Sequence, residues 1–382
     1  VSVWDEVVGQ ESAVATFREA VADPRAMTHA WLVTGPPGSG RSTAARAFAA
    51  ALQCPDQGCG FCHACSTVLG GTHPDVTLVA TEMLSIGIEE TRSLVSLAQR
   101  SPSEGRWRVI VVEDADRMAE RTSNVLLKAI EEPPGRTVWL LCAPSPQDVV
   151  VTIRSRSRTV ALRVPPPEAV AQLLVTRDGV EPALAAVVAR AAQSHIGVAR
   201  RLARDPEARE RREQVLAIPG EIRGVGDAIL AAGELVEVAQ AEAKAATADR
   251  DAAERSALLR SLGAEGGGTL PPALRAQVSQ LEKDQKRRAT RAQRDVLDRA
   301  MVDLLSLFRD VLVVQLGAQV ELMNVKHESQ VRALAEASTP EQTLRRMDAI
   351  GVARSRLAGN VAPLLAVEAM TLALRPQVRP LG

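Results

Sequence analysis

Eight consecutive residues, Gly35-Pro36-Pro37-Gly38-Ser39-Gly40-Arg41-Ser42, have the spacing of a loop that wraps a phosphate. Glycines permit tight turning, so backbone N–H groups can surround an anion. The loop follows a short apolar run, His29–Thr34, and precedes an alanine-rich stretch from Ser42 to Leu52 that reads as a helix. The amino-terminal dipole and N–H donors of such a helix favour the same anion. Ser42 stands where a hydroxyl would ligate magnesium, with Thr43 beside it. One position departs from the pattern: lysine is expected where Arg41 stands. Arginine keeps the positive charge but replaces a compact ammonium with a broad planar fork, which is predicted to sit away from the lysine position. Lysine is scarce in this chain, at Lys128, Lys244, Lys283, Lys286 and Lys326 only, but composition seldom overrides a catalytic lysine. We read the change as functional impairment, of nucleotide binding or of hydrolysis alone.

A second chemical feature is the run Val109–Val112, which ends in Glu113-Asp114-Ala115-Asp116. After such a strand in a nucleotide hydrolase, a first carboxylate holds magnesium and a second activates water. Here Glu113 sits where Asp is expected and Asp114 where Glu is. A displacement of about 1 Å costs on the order of 10²-fold in rate. Alone, the run would read as a solvated acidic turn; beside the phosphate loop it reads as part of a nucleotide site.

Four thiols, Cys54, Cys59, Cys62 and Cys65, crowd into residues 54–65, with Gly58 and Gly60 to turn the backbone between them. Four sulfur ligands suit a closed structural zinc site. A redox pair would need two cysteines, not four, and His63 reads as a neighbour of the site, not a ligand. Cys142 stands alone.

A fourth feature, Thr152-Ile153-Arg154-Ser155-Arg156-Ser157-Arg158, lies between the last recognisable strand and Pro165-Pro166-Pro167. It is either a solvated basic turn or the source of an arginine acting in trans on a phosphate held by a neighbouring subunit. Such a finger is worth about 10³–10⁵ in rate.

The elements that must position these groups alternate. Continuous apolar runs at Val109–Val112 and Val138–Leu141 suit parallel strands buried on both faces, and Ser123–Glu132 has helical periodicity. The expected fold is an α/β domain with a parallel sheet over residues 1–164, carrying the cysteine module 54–65. Short helices over 165–215 and an all-α region over 216–382 should follow. Within the latter, 226–262 and 273–317 read as long charged helices joined by Gly266-Gly267-Gly268 and Pro271-Pro272. A helical hairpin and a partly disordered insertion are the two readings of about 226–300. The 382 residues carry 46 basic and 46 acidic side chains, so the chain is a poor stand-alone polyanion binder. No run of about twenty apolar residues suggests a membrane span. Val1–Glu6 lacks the regions of a signal peptide, so the cytoplasm is expected.

Taken in order, the pieces resemble the AAA+ clamp-loader subunits of bacterial DNA polymerase III. Val8-Gly9-Gln10 and His29-Ala30-Trp31-Leu32 resemble the start of such subunits. The cysteine insertion is similar to the zinc module of the gamma/tau and delta-prime chains. Asn124–Pro134 is similar to the family's signature helix, and Ser155-Arg156-Ser157 to its Ser-Arg-Cys motif. Asn360-Val361-Ala362-Pro363 resembles the collar. The match covers about 1–205 well and the tail loosely, and leaves about 226–300 unexplained.

The resemblance implies a RecA-like domain, a helical lid and a helical collar. It implies a ring of five subunits with gamma/tau and delta chains, loading a sliding clamp on primed DNA in a nucleoid-associated replisome. Arg156 would be the finger for a neighbouring gamma/tau site. Val8, the loop residues Gly35, Gly38, Ser39, Gly40, Arg41, Ser42 and Thr43, Glu113, Asp114 and the lid's Arg200 would form a site for ATP or ADP with Mg2+. Cys142-Ala143-Pro144-Ser145 stands where motor subunits carry a Thr or Asn sensor. Arg41, the swapped pair and the lost sensor favour the delta-prime branch, with weak or absent hydrolysis of its own, over an active gamma/tau motor. A zinc-bearing module of recombination or repair is disfavoured by the neutral charge.

Overall fold

The computed structural model describes residues 2–80, 86–118, 120–261 and 272–376. Two compact units divide the chain, Val1–Arg204 and Asp205–Gly382. In the first, a 3-10 turn at Val3–Glu6 leads into α1 (Glu11–Ala22), β1 (Ala30–Thr34), α2 (Arg41–Gln53), α3 (His63–Leu69), β2 (Val76–Val79) and α4 (Ile88–Ala98). Then come β3 (Arg108–Val112), α5 (Glu120–Glu131), β4 (Thr137–Ala143), α6 (Val151–Arg154) and β5 (Arg158–Ala161). Helices α7 (Pro167–Asp178), α8 (Pro182–Ala191) and α9 (Ile196–Arg204) close the unit.

The sheet is parallel throughout, in the order β2-β3-β4-β1-β5. Strands β1, β3 and β4 are buried along their whole length, as their unbroken apolar sequences require. Successive residues feed opposite cores. Trp31, Val33, Val109, Val111, Val138 and Leu140 pack with α1 and α2, whereas Leu32, Ile110, Val112, Trp139 and Leu141 pack with α4 and α5. Alanines at 44, 45, 47 and 49–51 bury α2 on almost every side, so this helix lies close against the sheet. Half of the chain's eight aromatic rings join one stack, Trp4–Phe17–Phe48–Trp31.

Two strands correct the sequence expectation. β2 and β5 have only four residues each and lie at the sheet edges, β2 partly buried and β5 exposed except at Val160, so neither carries an apolar run. The arginine cluster therefore precedes the last strand instead of following it. Helices α1 and α4 were likewise not expected.

The second unit holds α10 (Pro206–Glu221), α11 (Val225–Ser261), α12 (Pro272–Gln315), α13 (Glu328–Glu336), α14 (Pro340–Ala358) and α15 (Pro363–Leu374). Among the described residues six helices, α7, α8, α10, α12, α14 and α15, place proline in the first turn, where its missing N–H costs no hydrogen bond. Leu235, Leu304, Phe308, Val311, Ile350 and Val367 are core members of this unit. Both expected long helices form. They run antiparallel, with Arg299 facing Glu242, Arg288 facing Asp251 and Glu254, and Arg255 facing Glu282. The expected turn at Gly266-Gly267-Gly268 and Pro271 lies outside the described residues.

The loop entering β3 is fastened by one buried carboxylate. Asp75 accepts from the amides of Ser103, Glu104 and Gly105 at 2.6–2.7 Å and pairs with Arg108 at 2.9 Å. Burial pushes its carboxyl up, but the amides of Gly105, Ser103 and Glu104 with the Ser103 hydroxyl outweigh this and hold it at about 2. The folded value lies below the ordinary 3.8, so the stabilisation is complete above about pH 5 and is lost as pH falls through about 2. Asp75→Asn is expected to lower unfolding free energy by about 2–4 kcal/mol at pH 7, with the difference shrinking towards pH 2. Urea unfolding at several pH values checks this; a pH-independent difference would show that the charge is not responsible.

Candidate nucleotide site and cysteine centre

Parallel pairing brings the carboxyl ends of β1, β3 and β4 to one edge of the sheet, where ligands of such sheets bind. The phosphate loop leaves β1 there, and the Gly35 amide donates to the Pro144 carbonyl at the end of β4. Gly38 and Gly40 both have φ near +90°, which a side chain would strain. A Cβ on Gly38 would also lie 2.9 Å from His195, just before α9, so the loop and that segment are in close contact. Gln10 fastens the loop from the other side, donating to the Ser39 carbonyl at 3.2 Å and accepting from the Arg163 amide at 3.0 Å. Ser39 is 1% exposed, and its hydroxyl is a buried polar atom without a protein partner. Ser42 and Thr43 are half-buried in the first turn of α2, and Val8 is half-buried ahead of Gly9.

The charged groups of the site have intramolecular partners. The Arg41 guanidinium donates back to the Gly35 carbonyl. Glu113 is gripped by Arg46, one turn further along α2, at 2.7 Å. Asp114 lies 3.6 Å from Arg117. Beneath them Cys142 is fully buried, and its thiol is pushed up to about 12, by burial first and then by Glu113 and Asp114, with Arg41 and Arg46 opposing. The loop, Arg41, Glu113 and Asp114 are thus brought together around a neutral thiol. Arg46 and His195 were missed, and Gln10 was noted only within the Val8-Gly9-Gln10 motif and given no role: each acts through a contact between elements, which spacing does not reveal. Asp116, noted in the acidic run, is shifted up by burial and by Asp114, with Arg117 and Arg41 opposing.

Arg156 and Arg200 are held by other carboxylates. Arg156 follows α6 and pairs with Glu131, at the end of α5, at 2.8 Å. It also donates to the Thr152 carbonyl at 3.0 Å, and its side chain is 41% exposed. Arg200, on α9, donates to Asp178 at 2.8 Å, and Arg204 takes the other oxygen of the same buried carboxylate.

The four cysteine sulfurs lie within 4.8 Å of one another. Cys54 Sγ is 3.7 Å from both Cys59 Sγ and Cys62 Sγ, far beyond a disulfide bond of about 2.05 Å. Thiolates about 2.3 Å from a tetrahedral zinc stand about 3.8 Å apart, so the spacing fits that ion. Amides of Cys59, Cys62 and Cys65 point at the sulfurs of Cys54, Cys59 and Cys62, each at 3.4 Å. Burial pushes the Cys54 thiol up, yet the amides of Cys59, Gly58 and Asp56 outweigh it and bring it to about 7. The site is a four-cysteine cluster able to hold a metal. It also ties down the start of the chain: the Gly58 carbonyl accepts from the Val3 amide at 3.1 Å and the Ser2 hydroxyl at 2.9 Å, and the Gln57 carbonyl accepts from Trp4 Nε1 at 3.3 Å.

Residues 9–166 match the family model described as DNA polymerase III, delta subunit. The gamma/tau subunit of DNA polymerase III from Mycobacterium tuberculosis is 34% identical over 175 residues, 44% of this chain and 30% of that protein. Two delta' subunits of DNA polymerase III also match. That of Pseudomonas aeruginosa is 36% identical over 36% of this chain and 44% of its own length, and that of Bacillus subtilis is 30% identical over 56% and 66%. The chain belongs to the clamp-loader family of bacterial DNA polymerase III AAA+ subunits. It spans about a third of the length of the first curated relatives it matches. As a clamp-loader-family chain it has no described helix long and apolar enough to cross a membrane.

Elemental analysis of the reduced clamp-loader-family chain is expected to give about one zinc per molecule, and Cys59→Ser to abolish it. Because the module anchors Val3 and Trp4, the same substitution should lower the melting temperature and shift tryptophan emission to the red. Unchanged metal content in the variant would remove Cys59 from the site.

Proposed function

We propose that this chain is the delta-prime type subunit of a DNA polymerase III clamp loader. In this reading it braces a ring with gamma/tau and delta subunits that loads the sliding clamp on primed DNA. Its Arg156 reaches the ATP of a neighbouring gamma/tau chain, while its own site hydrolyses little. Residues 1–164 serve as the RecA-like domain, 165–215 as the lid and 216–382 as the collar, with about 226–300 an insertion. Val8, Gly35, Gly38, Ser39, Gly40, Arg41, Ser42, Thr43 and Arg200 would contact ATP or ADP, Glu113 and Asp114 its Mg2+, and zinc would be structural. The cytoplasmic replisome is the expected location.

The observation that supports this reading most is the Arg46–Glu113 pair at 2.7 Å. A magnesium ion reaching Glu113 would have to compete with a guanidinium that already donates to it through two nitrogens. Arg41 turns to the loop's own carbonyl, and Cys142, with a neutral buried thiol, offers no hydroxyl or amide to orient water. The loop backbone and the buried Ser39 hydroxyl still suit a phosphate. Arg156 is partly exposed, and an exposed ion pair such as Arg156–Glu131 is worth about 0–1 kcal/mol, so exchange of the carboxylate for a phosphate is cheap.

In a loader reconstituted from this chain with gamma/tau and delta subunits, Arg156→Ala is expected to leave the ring assembled and to lower DNA-stimulated ATPase at least about tenfold. Unchanged activity would sink the finger assignment. The isolated chain is expected to show no steady-state turnover above background. Robust turnover abolished by Asp114→Asn would instead make it a gamma/tau-type motor.

A further inference from the structure

The distal part of α12 carries a charge pattern that the nucleotide chemistry leaves unused. Residues 275–294 hold seven basic and two acidic side chains, whereas residues 240–261 of the facing α11 hold four of each. Within the hairpin the excess is therefore carried by α12. It is also confined to one side of that helix. The side facing α11 carries Val278, buried, and Arg288, held by Asp251 and Glu254. Arg288 holds the Glu254 carboxyl at about 2, so this cation is spent within the hairpin.

Arg275, Lys283, Lys286 and Arg287 are exposed; Arg291 and Arg294 continue their stripe half-buried, with Arg291 3.7 Å from Asp295 and Arg294 donating to Asn360. From Lys283 the steps are i+3, i+4, i+8 and i+11, which keeps these side chains on one helix face. At 1.5 Å per residue the stripe is about 30 Å long. The two carboxylates of the span lie at its flanks. Glu282 turns to Arg255 of α11 at 2.8 Å, and Asp284 takes Gln280 at 3.1 Å and stands 3.7 Å from Arg287.

We propose that this face of α12 is a binding ridge for the phosphate backbone of duplex DNA. The chemistry of the ridge selects the ligand. Protein hot spots set Trp, Tyr and Arg together in well-packed, desolvated pockets. Here the intervening residues on the stripe are Ala276, Ser279, Gln280 and Thr290, and residues 275–294 contain no aromatic residue. The same absence removes the stacking platforms that single strands use. What remains is a row of cations that can follow phosphates without reading bases. The ridge lies outside the nucleotide site and does not depend on the delta-prime reading.

The test is fluorescence anisotropy of the full chain with a labelled 30-base-pair duplex at several salt concentrations. Combined Lys283→Ala, Lys286→Ala and Arg287→Ala, on an exposed helix surface where alanine is well tolerated, should weaken binding at least about tenfold at low salt. It should also reduce the slope of log K against log salt by about 2.7, or about 0.9 per lost phosphate contact. Lys283→Arg with Lys286→Arg should bind like the parent, and circular dichroism should show equal helicity in all three proteins. Equal binding by the triple-alanine variant would overturn the proposal, as would no duplex binding by the parent. Ridge-dependent capture of polyglutamate without capture of duplex would also overturn it, in favour of an acidic protein partner.

Discussion

Strand β1 is hydrogen-bonded on both sides, to β4 and to β5, and the chemistry of the first unit hangs on that pairing. A strand buried on both faces and paired on both edges cannot shift register without exposing Trp31 or stranding backbone donors. The loop that leaves it is consequently delivered to one point of the sheet edge. Its neighbours there, the ends of β3 and β4, are delivered by the same ladder. The alanine-rich α2 can then lie close enough to the sheet for Arg46 to reach Glu113.

In the reading proposed above, that closeness is what lets a phosphate-type loop coexist with a poor hydrolytic arrangement. Carboxylates at a strand end are useful to a metal when they face it across water. Once a guanidinium from the next helix stands in front of Glu113, the local charge is balanced from within the protein. Cys142 adds a thiol too buried to ionise near neutral pH. The result is a glycine loop whose neighbouring charges are already paired within the protein, which is the arrangement the proposed structural role requires.

The cysteine module and the second unit follow the same logic of fastening weak elements. Four sulfurs in twelve residues replace a hydrophobic core that so short an insertion cannot build, and the module then holds Val3 and Trp4 against the aromatic stack. In the second unit, fully buried Asp310 accepts from the amides of Met323 and Asn324, while Arg212 joins Asp303 to Asn324. These satisfied polar groups fix the loop after α12 on a helical core that would otherwise tolerate sliding.

Much of this was legible from residue order alone. Covalent spacing fixes what lies within a turn or two, so the phosphate loop, the four cysteines, the central strands and the long helices could be read directly. Unbroken apolar runs identify strands buried on both faces, which is why β1, β3 and β4 were expected and the half-polar edge strands β2 and β5 were not. The placement of Arg46 on Glu113, of Glu131 on Arg156, of Asp178 on Arg200 and of His195 against Gly38 was decided only by the tertiary structure. Each joins residues from separate elements, and ion-pair partners carry no period or motif. Which charges of this chain are committed to partners, and which face of α12 carries the exposed excess, is a property of packing.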